Sequence, residues 1–152
     1  MIRPALASAT ALLLAAPAAS QQPPSMWSYH YQMGIGEYIT GQWDSPRGAA
    51  LNISCLQDGG VSIMPQIKGQ APPGGSAISL TASSRAGSRE SRFSTNAQGS
   101  VEIPAGLSPG FRQLWANLRW GDIVTLRYAD GRTSVLSLAG AARTLPAKPC
   151  AD

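Results

Sequence analysis

The sequence predicts an all-β fold: a sandwich or barrel of short antiparallel strands, with one amphipathic helix over an open end or face. Three observations predict it. Apolar residues alternate with polar ones in several short runs. Turn signals such as Asp58-Gly59-Gly60 and Asp130-Gly131 separate the runs at near-regular spacing. Only one longer stretch, near residues 109–120, carries the helical period instead.

Taken in order, the chain opens on Arg3 and an apolar run over residues 5–16, followed by small residues at Ala16-Pro17-Ala18 and Ala18-Ala19-Ser20. That is the layout of a secretory leader, and the run is too short for a permanent membrane span. The expectation is a signal peptide over 1–20, a flexible lead-in over 21–25 (QQPPS), and one domain over 26–152 that is periplasmic or secreted. No second apolar stretch of that length follows, so no integral membrane segment is expected after leader removal.

Trp27, Tyr29, Tyr31 and Met33 alternate with Ser28, His30 and Gln32, the pattern of a strand with one apolar face packed on a sheet. Gly34 and Gly36 break it, and residues 37–43 read as the returning strand before a turn at 44–48. A central strand is expected over 50–56, with Leu51, Ile53 and Cys55 on one face. Its hairpin partner covers 61–67, where Pro65 argues for a sheet edge or a bulge. Ile78 and Leu80 mark a strand over 77–82, residues 83–94 read as a polar, arginine-rich segment, either a loop carrying a binding site or a solvated hairpin, and Val101 and Ile103 mark a further short strand.

The helix is predicted over 109–120. Ser108 caps it, Pro109 suits its first position, and Gly121 stands where a left-handed stop belongs. Phe111, Leu114, Trp115 and Leu118 form one apolar stripe, which reads as a helix laid over a sheet core. A hairpin over 123–128 and 133–138 turns at Ala129-Asp130-Gly131, and residues 138–145 predict a short C-terminal helix ended by Pro146.

Composition bounds the function. Twelve Lys and Arg against eight Asp and Glu give a net charge of +4, reduced to +3 without Arg3. After the leader the basic residues are arginines except Lys68 and Lys148, and arginine favours bidentate contacts with carboxylate or phosphate. Two cysteines, Cys55 and Cys150, in an exported chain imply a disulfide closing nearly the whole domain. There is no Cys-x-x-Cys, and His30 is the only histidine, so zinc sites needing two or three histidines are excluded and no cofactor is expected.

Candidate chemistry is sparse. His30 lies on the polar face of a predicted strand, and a serine or carboxylate could reach it only through the fold; no Gly-x-Ser-x-Gly elbow is present. With Asp58 and Asp130 in turns, Asp122 at a strand start and Asp152 the last residue of the sequence, Glu37, Asp44, Glu90 and Glu102 remain for an acid–base pair. Gly34-x-Gly36 lacks the third glycine of a phosphate loop, and Asn52-Ile53-Ser54 falls inside a predicted strand, where a glycan acceptor does not belong. Two features point to binding. Arg85, Arg89 and Arg92 could grip an anionic ligand. The aromatic opening, Trp27, Tyr29 and Tyr31 with Tyr38 and Trp43, could stack on a sugar or a partner protein. Nucleic acid is a poor candidate, because no aromatic interleaves with these arginines.

A tryptophan near the start of the domain precedes Leu51-x-Ile53-x-Cys55. Leu114, Trp115, Leu118, Gly121-Asp122, Leu138-x-Gly140-Ala141 and Cys150 follow. In this layout the chain resembles the small exported β-sandwich proteins of proteobacteria, being similar to the invasion-associated locus B family and to periplasmic accessory proteins of type VI secretion. The resemblance implies a bacterial periplasmic or secreted domain with Cys55 bonded to Cys150 and no known catalysis. The expected function is non-enzymatic: binding or supporting an envelope protein or an anionic envelope component, with the three arginines first and the aromatic strand second as contacts. The alternatives are a small periplasmic hydrolase using His30, and an enzyme inhibitor presenting the loop over 69–75.

Overall fold

The computed structural model describes residues 27–150. The expected leader, the lead-in and Asp152 lie outside them. In chain order the elements are β1 (Ser28–Gln32), β2 (Ile35–Gly41), β3 (Ala49–Cys55), β4 (Val61–Ile67), β5 (Ala77–Ser84), β6 (Gly87–Ser94), β7 (Val101–Ile103), α1 (Pro109–Trp120), β8 (Ile123–Tyr128), β9 (Thr133–Ser137) and α2 (Ala141–Thr144). The strands form two antiparallel sheets, ordered β1-β2-β3-β4-β7 and β6-β5-β8-β9. This is the all-β sandwich the alternation predicts. No helix among the described residues is long and apolar enough to cross a membrane.

The inner faces supply the core. Leu51 and Ile53 of β3, Val61 and Ile63 of β4, Leu80 of β5 and Val124 of β8 are fully buried. The apolar stripe of α1, Phe111, Leu114, Trp115 and Leu118, is buried too. Trp115 meets Tyr38 of β2 edge-on at 5.2 Å, a favoured aromatic geometry. Its Nε1 donates to the Pro146 carbonyl at 2.9 Å, and Arg119 Nε donates to Leu145 O at 2.9 Å. The helix is thereby tied both to the first sheet and to the C-terminal segment around α2. Cys55 and Cys150 are bonded, with Cα atoms 5.5 Å apart.

Four expectations are corrected in detail. Residues 83–94 are not a loop but the solvated hairpin: a two-residue turn at Arg85-Ala86 closes it, and β6 runs along β5 from Gly87 to Ser94. β6 is an edge strand held by its ladder, and solvent bathes most of its side chains, so its sequence shows no apolar alternation. Secondly, β1 is not a packed face. Trp27 is buried, but Tyr29, Tyr31 and Met33 are exposed, because β1 extends past the cover of the second sheet. Thirdly, the returning strand runs over 35–41 instead of 37–43, and Trp43 falls in an exposed turn. Fourthly, Gly121 is extended (φ −76°, ψ 161°), with no left-handed stop. Glycine is needed there for space: a Cβ would come 2.7 Å from Leu138 Cδ1.

Pro65 sits as predicted. β7 pairs only with Val61, Ser62 and Ile63, so at Pro65 β4 has a partner on one side alone.

Candidate functional site

Two clefts collect the candidate binding residues, and each arises from the register of a sheet. The first lies where the β5–β6 hairpin meets the end of α1. Side chains three apart on a strand point to opposite faces, so β6 divides the three arginines. Arg92 faces outward and ion-pairs with Glu90 at 2.9 Å. The Arg92 guanidinium, with Ser79, holds the Glu90 carboxyl below its usual range. Arg85 sits in the turn and lines a neighbouring cleft with Asp122 and Ile123. Arg89 alone lines the hairpin cleft of about 200 Å³, together with Ser84, Ser88, Asn117, Trp120 and Gly121.

That hairpin cleft is rich in donors. Arg89 makes no ion pair among the described residues. Asn117 accepts from Gln113 Nε2 at 2.9 Å through its Oδ1, while its Nδ2 is buried with no hydrogen-bond partner. A buried N–H group left unpaired costs free energy, so a turn of this side chain toward the cleft, where an acceptor could meet it, would recover that cost. The Trp120 ring is 71% exposed at the mouth, with the Arg119 guanidinium 5.3 Å from its centre. A guanidinium, an orphaned amide and serine hydroxyls around one small space suit an oxygen-rich anion such as a carboxylate or phosphate. Asn117 and Trp120 escaped the sequence reading, although an aromatic off the apolar stripe at a helix end was a usable signal.

The second cleft, about 360 Å³, lies beside the disulfide. Tyr29 pairs with Tyr38, and Tyr31 with Gly36; Gly36 in turn pairs with Cys55. In the first of these rows Tyr29 lies against Tyr38 with ring centres 4.8 Å apart. In the second, glycine and a cystine stand where a large side chain would fill the space. Trp27 is not in this cleft; it is buried in the core.

Other candidates are placed as follows. His30 is exposed on the outer face, in a row that continues through Glu37, Ser54, Ser62 and Glu102. Its Nε2 lies 3.2 Å from Ser28 Oγ. Ser54 is two strand spacings away, roughly 10 Å, and bonds toward Asn52 and Glu37. Glu102 accepts from Ser62 Oγ at 2.9 Å, and Asp44 accepts from Gln66 at 3.1 Å. Asn52 is buried in β3. The loop over 69–75 is bonded down: Arg132 donates to Gln70 Oε1 and Ala71 O at 3.1 and 3.2 Å. Among the described residues no cluster of three or more His, Cys, Asp and Glu could hold a metal ion.

Comparison with known proteins gives one family: the YfjT model matches residues 25–145. No curated protein and no solved structure matches the chain.

Proposed function

We propose that this chain, which belongs to the YfjT family, is a non-enzymatic binding protein of the bacterial cell envelope, periplasmic or secreted, that takes an anionic group in the hairpin cleft. The observation that carries this reading is Arg89, without an acidic partner among the described residues, beside the buried and unsatisfied Nδ2 of Asn117. The Cys55–Cys150 bond suits an oxidising compartment. The leader-like first twenty residues, and the resemblance to invasion-associated locus B proteins and type VI secretion accessory proteins, support the same location. The bound group belongs to an envelope protein or another anionic envelope component.

The test is a pull-down of envelope components by the oxidised protein at low and high salt. The expected result is a salt-sensitive partner that is lost with Arg89→Ala and retained with Arg85→Ala, at an unchanged Tm because Arg89 is exposed. A partner lost only in the triple Arg85, Arg89 and Arg92 alanine variant would move the contact out of the cleft. A partner indifferent to salt and to Arg89 would overturn the assignment.

One contact favours a second reading. Ser28 Oγ touches His30, and Glu37 lies opposite His30 across the β1–β2 pair, a serine–histidine–carboxylate neighbourhood on an exposed strand. A hydrolytic activity abolished by His30→Ala would establish that reading, and an activity that persists would remove it.

A further inference from the structure

We infer that the cleft beside the disulfide binds a neutral carbohydrate, with a sugar ring laid on Tyr31. This site is separate from the hairpin cleft and does not rest on it. It exists because of one register row, Tyr31, Gly36, Cys55, Val61 and Ile103, on the inner face of the first sheet. Val61 and Ile103 at one end of the row are buried, whereas Gly36 contributes no side chain and Cys55 is turned into the cystine. Space therefore opens over the middle of the row, walled by Tyr29 and Tyr31 on one side and by Leu107, Pro149 and Cys150 on the other. Its 360 Å³ is at the lower end of small-molecule sites.

The chemistry of the walls selects the ligand class. Among the described residues no Asp, Glu, Lys, Arg or His lines this cleft, in contrast to the hairpin cleft with its Arg89. An ionic ligand would lose its hydration there and gain no counter-charge. Tyr31 is 66% exposed and Tyr29 49%, and neither hydroxyl has a hydrogen-bond partner among the described residues. Each ring thus offers an apolar face and an unpaired polar tip. Gln57 adds an amide that is held in place, since its Nε2 donates to Met33 O and its carbonyl oxygen remains an acceptor. A sugar has the matching character: a C–H face for the rings and a rim of hydroxyls for the polar tips. Glycine at 36 keeps the platform in position, because a Cβ there would stand 3.1 Å from the Tyr29 hydroxyl.

The test titrates the oxidised full chain with three neutral disaccharides, N,N′-diacetylchitobiose, cellobiose and maltose, followed by saturation-transfer NMR and calorimetry. At least one should bind. Tyr31→Phe, which loses the hydroxyl but keeps the ring face, should bind more tightly than Tyr31→Ala and Tyr31→Leu, which should weaken binding by about tenfold, the value of one ring-stacking contact. All three variants should keep the parent Tm, since Tyr31 is exposed, and Arg89→Ala should leave sugar binding unchanged. No saturation transfer from any of the three sugars would overturn the proposal. Leucine serving as well as phenylalanine would overturn it too, because a generic apolar contact for a partner protein needs no ring face.

Discussion

At the scale of single residues, two positions show how far a side chain's type reveals its task. A glycine after a helix suggests a left-handed stop, and that reading of Gly121 fails because the same residue type also answers a need for space, which only the packed structure displays. Gly121→Ala puts a Cβ 2.7 Å from Leu138 and 3.1 Å from the Asn117 carbonyl. With no φ strain to add, the crowding alone should cost about 1–3 kcal/mol in urea unfolding. Arg132 is the second case. It ion-pairs with Asp130 at 2.7 Å and, through the same guanidinium, holds Gln70 and Ala71. Arg132 keeps the Asp130 carboxyl below its usual range. A lowered carboxyl stabilises the folded state above the ordinary carboxylate range and loses that contribution as pH falls through the lowered value. Hydrogen exchange in residues 69–75, taken relative to the intrinsic rate at each pH, should therefore be slow at neutral pH and accelerate only in acid. With Arg132→Ala it should be fast at neutral pH as well. Equal exchange rates in the two proteins would remove the clamp.

Among the elements, those with strong local chemistry were the legible ones. Ser108, Pro109 and the spacing of Phe111, Leu114, Trp115 and Leu118 define α1 within a dozen residues, and the helix begins and ends as they predict. The Ser108 side chain accepts from Phe111 N at 3.2 Å. Ser108→Ala should lower stability by about 1 kcal/mol, measured by urea denaturation with the slope unchanged. β3, β4, β8 and β9 were legible for a similar reason: alternation or continuous apolar runs, bounded by Gly-bearing turns. β6 was not, since its strand character resides in pairing with β5 and leaves little trace in its own side chains. The same blindness carried over to the site. Arg85, Arg89 and Arg92 read as one basic cluster while their segment is a loop, and as three separate positions once it is a hairpin. The aromatic opening was legible as a strand but not as an exposed one, because exposure depends on where the second sheet ends.

For the whole molecule, charge and covalent closure matter most. The β5–β6 hairpin, α1, β8 with its turn to β9, and the C-terminal segment hold eight arginines, from Arg85 to Arg143, against Glu90, Asp122 and Asp130, whereas Glu37, Asp44, Asp58 and Glu102 outnumber Arg47 and Lys68 on the first sheet and its loops. An anionic partner of the kind proposed would therefore be steered toward the second sheet, the side that carries the hairpin cleft. The disulfide spans 95 positions of sequence. Replacing Cys55 and Cys150 with serine should cost about 2–5 kcal/mol, read as a drop in Tm of the double variant. It has another result. Every element from β4 to α2 belongs to a covalent ring closed at Cys55 and Cys150, with only β1, β2 and β3 outside it. One proteolytic cut anywhere in that ring opens it but frees nothing. A nicked molecule would migrate as one species until a reductant is added, and only then as two, so damage that would dismember an open chain leaves this one in a single piece.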